Sequence, residues 1–168
     1  MSEITTPREL FLHELGDILY VEEKLEQEVL PQLMEEVQHP ELRKGLEKHL
    51  RETRSHVENL EQIFEQLGEE AEREECVGFE GLRKEHDQLV SETSPQLIDL
   101  VALGAIARTE HYEITAYEQL MMMARALGER DAIDLLEQNQ KDEKETLRQS
   151  ESIARELTKE QAKEMSDA

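Results

Sequence analysis

The chain has little of what sheets and cross-links are made from. In 168 residues there are one cysteine, no tryptophan, three tyrosines, three phenylalanines, four prolines and seven glycines. No alternating apolar run appears, and a sandwich or barrel needs many β-branched and aromatic strands joined by glycine- and proline-rich turns, so both are excluded. The single thiol, Cys76, cannot form an intramolecular disulfide. The segment MSEITTPREL has neither the basic start nor the apolar run of a secretory signal, so a cytoplasmic location is expected. The longest apolar stretch, LIDLVALGAIA, is well short of the ~20 residues that cross a bilayer and includes Asp99. There is no glycine-rich phosphate loop, no Ser/His/Asp spacing and no paired-cysteine motif.

Positive charge is also scarce. Lysine and arginine number 19 against 41 aspartates and glutamates, a formal net charge of -22. Such a field repels nucleic-acid phosphates and anionic membranes, so neither is an expected partner; cations are.

What is present is helix. Charged residues make up 36% of the chain, and apolar residues recur at three- and four-residue steps, the pattern of amphipathic helices around one core. The first helix is predicted over about 7–37, with Thr6 as cap, Pro7 in the first turn, Glu9 completing a capping box and a kink at Pro31. The others are predicted over about 41–67, 76–92, 95–127 and 131–158, with Gly68 and Gly128 as stops and a polar C-terminal tail ending KEMSDA. The expectation is one all-α domain over 1–168, a ferritin-like four-helix bundle of two helical hairpins whose long crossover holds the short extra helix.

Each long helix carries glutamates on or beside its apolar stripe: Glu23, Glu52, Glu110 with Glu113, and Glu143, with His49 and His56 flanking Glu52. A carboxylate in a core needs a cation, a proton or a hydrogen-bond donor. Depth agrees. Glu23 and Glu52 lie about 16 and 13 residues from the first turn, within ~5 Å of level at the helical rise. Glu113 and Glu143 are each about 15 residues from the second, with Glu110 one turn further. Any one acid could pair with Arg or Lys or sit at the edge of its stripe. Four helices presenting level acids, with His56 one turn from Glu52, match the di-iron carboxylate bundle, and the oxygen-rich set suits Fe(II) or Mn.

At these residues the chain resembles the YciE/YciF-like bacterial stress proteins, a ferritin-like family related to the rubrerythrins. The resemblance covers nearly the whole length: ELGDILYVEEKL around Glu23, HLRETRSHVENLEQIF around Glu52, CVGFEGLRKEHDQLV in the crossover, and ARTEHYEITAYEQL around Glu110 and Glu113. The rubrerythrin-like pattern is Glu, then Glu plus His, then Glu-x-x-Glu, then Glu-x-x-His on successive helices. It implies Glu23, Glu52, His56, Glu110, Glu113 and Glu143 as metal ligands here. There are two departures. His56 follows Glu52 by four residues instead of three, and Thr146 stands where the last histidine belongs, so one metal lacks a nitrogen donor.

The resemblance implies a homodimeric stress-response protein holding two Fe or Mn ions and reacting them with peroxide or oxygen, with peroxidase-, catalase- or ferroxidase-like chemistry open. The alternative is a metal-free ferritin-like structural or interaction protein acting as a dimer, with its interior acids protonated or paired with arginines such as Arg108. Of the remaining residues, His49 is a candidate to support the ligands from behind. Tyr20 and Tyr117 are candidates either to donate to ligating carboxylates or to pack. Met121 to Met123 point three ways, and Cys76, beside Glu74 and Glu75, is expected to be inert. His13, His39 and His86 are expected at surfaces or helix ends, and Glu80 and Glu85 have no assigned role.

Overall fold

The computed structural model describes residues 3–167, with side chains to Lys163. Thr6 accepts a hydrogen bond from the Glu9 amide at 3.2 Å while Glu9 accepts from the Thr6 amide at 2.8 Å, the reciprocal cap that starts α1 (Pro7–Lys24). Such a cap contributes about 1 kcal/mol. The helix continues through a π turn (Leu25–Val29) into α2 (Leu30–Glu36). Pro31 is the cause: it has no amide hydrogen and its ring crowds the carbonyl four residues back, and the wider turn upstream, in which Leu30 N–H bonds to Leu25 O, relieves both.

The chain reverses through His39, whose ring accepts from the Leu42 amide, into α3 (Pro40–Leu67). That helix stops at Gly68, whose φ of 71° is left-handed. The crossover then lies against α1. Gly16 permits this contact, because a Cβ there would stand 2.8 Å from Glu72 O, and Glu74 N–H bonds to Gly16 O at 3.2 Å.

The crossover contains α4 (Val77–Glu92), a 3-10 turn (Pro95–Leu97) follows, and α5 (Ile98–Leu127) and α6 (Arg130–Asp167) form the second hairpin around Gly128. Phe79 anchors α4 in the core, and Tyr20–Glu80, Arg83–Glu28 and His86–Glu36 contacts hold its outer faces at 2.8–2.9 Å. Among the described residues there is no strand, and no helix is long and apolar enough to cross a membrane. The all-α bundle of two hairpins with an extra crossover helix is therefore the observed fold.

The last helix differs from expectation. It runs to Asp167 and not to about 158, because Lys159, Glu160, Gln161, Ala162 and Lys163 all favour helix and no glycine or proline interrupts them. The end of the expected tail, Ala168, lies outside the described residues.

Candidate metal centre

Midway along the bundle α1, α3, α5 and α6 each turn polar side chains inward. Glu22, His49, His56, Glu110, Glu113 and Glu143 are all buried, none more than 2% exposed. On one side His56 Nδ1 lies 2.8 Å from Glu143 Oε1 and 3.3 Å from Glu22. On the other, His49 Nε2 lies 3.2 Å from Glu110 Oε1 and 3.8 Å from Glu143 Oε2. Two groups could thus hold a metal ion, Glu22–His56–Glu143 and His49–Glu110–Glu143, with the ligand atoms of each within 4.8 Å of one another. Glu143 belongs to both, one oxygen facing each histidine.

The electrostatics are those of a site short of cations. Burial drives the Glu110 carboxyl up to about 8, with neighbouring Glu22 and Glu52 adding to the shift against Glu143 and His56. Glu113 is pushed well above the usual carboxylate range by burial and then by Glu143, Glu22 and Glu110. Glu143 is raised by burial and Glu110 against the pull of both histidines. Burial opposes charge on His56, but Glu22 and Glu143 outweigh it and raise the ring to about 11. Neither oxygen of Glu113 or Glu143, nor Glu110 Oε2, nor His49 Nε2 has a hydrogen-bond partner of good geometry. Among the described residues no Arg or Lys pairs with Glu22, Glu110, Glu113 or Glu143. Orphaned buried oxygens of this kind are what a cation satisfies, and four carboxylates with two neutral imidazoles balance two divalent ions.

Groups behind the cluster fix its orientation. His56 Nε2 faces Asp142 at 3.5 Å and His49 Nδ1 faces Thr146 Oγ1 at 3.4 Å, so both rings of α3 are backed by α6. Tyr117, fully buried, donates a short hydrogen bond to Glu22, and Asn139 donates to the Tyr117 oxygen at 3.1 Å and to His56 O at 3.3 Å. A phenol thus holds one carboxylate, and an amide holds that phenol and the backbone carbonyl of His56.

Of the six expected ligands, His56, Glu110, Glu113 and Glu143 lie together in the interior. Glu52 stands at the rim: one oxygen pairs with Lys48 and the other is buried without a partner. Glu23 does not reach the cluster. It forms an ion pair with Arg73 at 2.6 Å on the outside of α1, and Glu22 is the acid that points inward. Counting seven residues back from Leu30 leads to Glu23, but the π turn between them adds a residue, so the inward position is eight back.

The missing nitrogen beside Thr146 has a counterpart in His49, one helix over. Its spacing of seven from His56 on α3 is the sequence signal that places both rings on one face. Tyr20 donates to Glu80 outside the cluster and Arg108 pairs with Glu85 at the surface, so neither touches it. His39 caps α3, whereas His86 is buried against Glu36. The Cys76 thiol is raised mainly by burial, against hydrogen bonds with Tyr112 and the Phe79 amide, with Asp17 adding a smaller push upward.

Fold and site together define a helical-bundle protein with a buried carboxylate and histidine cluster shared by four helices. The chain belongs to the family described as "Domain of unknown function (DUF892)", which matches residues 6–163. It is 31% identical to Protein YciF of Escherichia coli over 143 residues, 84% of this chain and 86% of that one. The structure of the E. coli stress protein YciF superposes with a TM-score of 0.86 at 28% identity, covering 93% of this chain and 99% of that one. YcfI of Rhodopseudomonas palustris, named as a proposed structural protein, gives a TM-score of 0.86 at 33% identity, covering 89% and 95%.

Proposed function

We propose that this protein binds two Fe or Mn ions per chain within the bundle and reacts with peroxide or oxygen as part of a bacterial stress response, in the cytoplasm and as a homodimer. The observation that carries the metal reading is Glu143, buried between two histidines with each oxygen directed to one of them. Glu22, His56 and Glu143 would hold one ion, His49, Glu110 and Glu143 the other, with Glu113 and the free oxygen of Glu52 beside them. Such ions supply redox equivalents and a Lewis acid for a bound oxidant. The chain's own part is to exclude water, to keep both rings oriented through Asp142 and Thr146, and to hold a proton at Tyr117 against Glu22. The stress role is supported by the similarity to YciF, which is named a stress protein.

Elemental analysis of protein purified without chelators tests the reading. Wild type should carry about two ions per chain, and Glu143→Gln, which keeps the volume but removes the shared charge, should lose both. Wild type that stays empty after anaerobic loading with Fe(II) and with Mn(II) would leave a metal-free structural protein. The raised Glu110, Glu113 and Glu143 carboxyls favour that second reading, since each can be neutral in the core.

A further inference from the structure

Beside the His49 and Glu110 side of the cluster the packing is incomplete. A cavity of about 40 Å³ lies between the π turn with α2, the crossover helix α4 and α5. Buried His49 and Glu110 line its inner end, and exposed Gln32 and Asp87 line its rim. One water needs roughly 10–15 Å³, so the space takes a molecule of at most about three or four non-hydrogen atoms. Its walls include Leu30, Leu33, Phe79 and Ile106, all buried. The lining also includes Arg83 and Asp87, but Arg83 is paired with Glu28 and Glu80, and an ion passing the apolar walls would shed its hydration shell, so the space favours a neutral occupant.

Thr109 and His86 also line it. His86, on α4, is 7% exposed, and its Nδ1 is buried with no hydrogen-bond partner. Its Nε2 is 2.8 Å from Glu36 Oε2. A carboxylate can only accept, so Nε2 carries the proton, and a neutral ring then leaves Nδ1 as an acceptor. The cavity therefore offers an occupant a hydrogen-bond acceptor at His86 and an approach to His49 and Glu110.

We propose that this cavity is a binding pocket for a small neutral hydroxylic molecule, hydrogen peroxide by size and hydrogen bonding, which donates to His86 Nδ1 and lies beside His49 and Glu110. Dioxygen fits the space but has no proton to give His86, so the pocket distinguishes the two oxidants. The use of this pocket rests on the metal-centre reading above; its occupancy does not.

Two measurements on metal-free protein test it. Under xenon pressure, xenon-129 NMR should report a bound atom in wild type, with affinity reduced roughly tenfold or more in Ala105→Leu, whose added carbons fill the space. Leu82→Phe serves the same purpose should the first variant fail to fold. Titration with hydrogen peroxide should move the His86 ring nitrogen-15 resonances saturably, leave those of half-exposed His13 in place, and have no effect in the filled variant. A wild type that excludes xenon, or a His86 resonance indifferent to peroxide, overturns the proposal. Metal content is read separately. A protein that binds peroxide at His86 but no metal loses the metal reading and keeps the pocket, and two bound ions with a silent His86 give the reverse.

Discussion

Thr146 stands behind His49, its hydroxyl oxygen 3.4 Å from Nδ1 on the side of the ring away from Glu110 and Glu143. The rubrerythrin-like pattern has a metal-binding histidine at this position of the last helix. In the proposed centre the ring would come instead from His49 on α3, with the threonine behind it. Supporting contacts of this kind change metal affinity by about 10- to 100-fold. Thr146→Val, which keeps the shape and removes the hydroxyl, should weaken one of two bound ions by about tenfold and leave the other near wild type. Competition with a chromogenic chelator resolves the two; equal loss of both, or of neither, would contradict the assignment of Thr146 to one half of the site.

The metal-free protein should become less stable as pH rises. Burial raises Glu110 to about 8 and lifts Glu113 and Glu143 well above the usual carboxylate range, so the folded state binds protons that the unfolded chain releases near 4.5. A raised acid contributes stability fully below its unfolded value, and that contribution is lost as pH climbs through the folded one. His56, raised to about 11, acts in the same direction: its contribution is complete below 6.5 and declines as pH rises toward 11. The melting temperature in chelator should therefore fall steadily from about pH 5 to pH 8.5. Metal competes with those same protons, so the gap between loaded and metal-free protein should widen with pH. A metal-free melting temperature that rises across this range would contradict the buried, protonated acids.

Glu22 and Glu23 separate what the sequence pattern can tell from what it cannot. Glu22→Gln should remove metal from the His56 side, whereas Glu23→Gln should leave metal content unchanged and stability within about 1 kcal/mol, because it breaks only the half-exposed pair with Arg73. Metal analysis of the two variants side by side decides between neighbouring residues.

The cap at Thr6, the stops at Gly68 and Gly128 and the apolar stripes were legible because each is a local rule with a residue-type signature. The burial of His56, Glu110, Glu113 and Glu143 was legible because straight helices translate sequence distance into depth. Glu22 was not, because one π turn shifts the phase and leaves no residue signature beyond the proline after it. Nor was the pairing of His49 with acids on α5 and α6, since it depends on how three helices are rotated against one another.

Gly16→Ala should destabilise the protein without emptying the site. The new Cβ would lie 2.8 Å from Glu72 O and 3.2 Å from the Glu74 side chain, so the crossover must move off α1. Overpacking of this kind typically costs about 1–3 kcal/mol. Gly16 lies six residues before Glu22, nearly two turns along α1, so metal content should persist in the folded fraction. A variant as stable as wild type would mean that segment 69–76 is not held against the helix.

Tyr117→Phe removes the hydroxyl that donates to buried Glu22, leaving that carboxylate with the His56 ring at 3.3 Å and Asn139 with its bonds to His56 O and Asn59. An acceptor stripped of its donor in a core costs about 1–3 kcal/mol. That loss should appear mainly in metal-free protein, where among the described residues the His56 ring is what remains beside the carboxylate. With a cation on Glu22 the carboxylate is satisfied from the other side, and the difference from wild type should shrink. Melting temperatures of the variant with and without Mn(II), set against wild type in the same two conditions, form a cycle whose coupling term should be positive. A coupling of zero would mean that Glu22 does not face the metal, and the His56 half of the centre would have to be redrawn around Glu143 and Glu113.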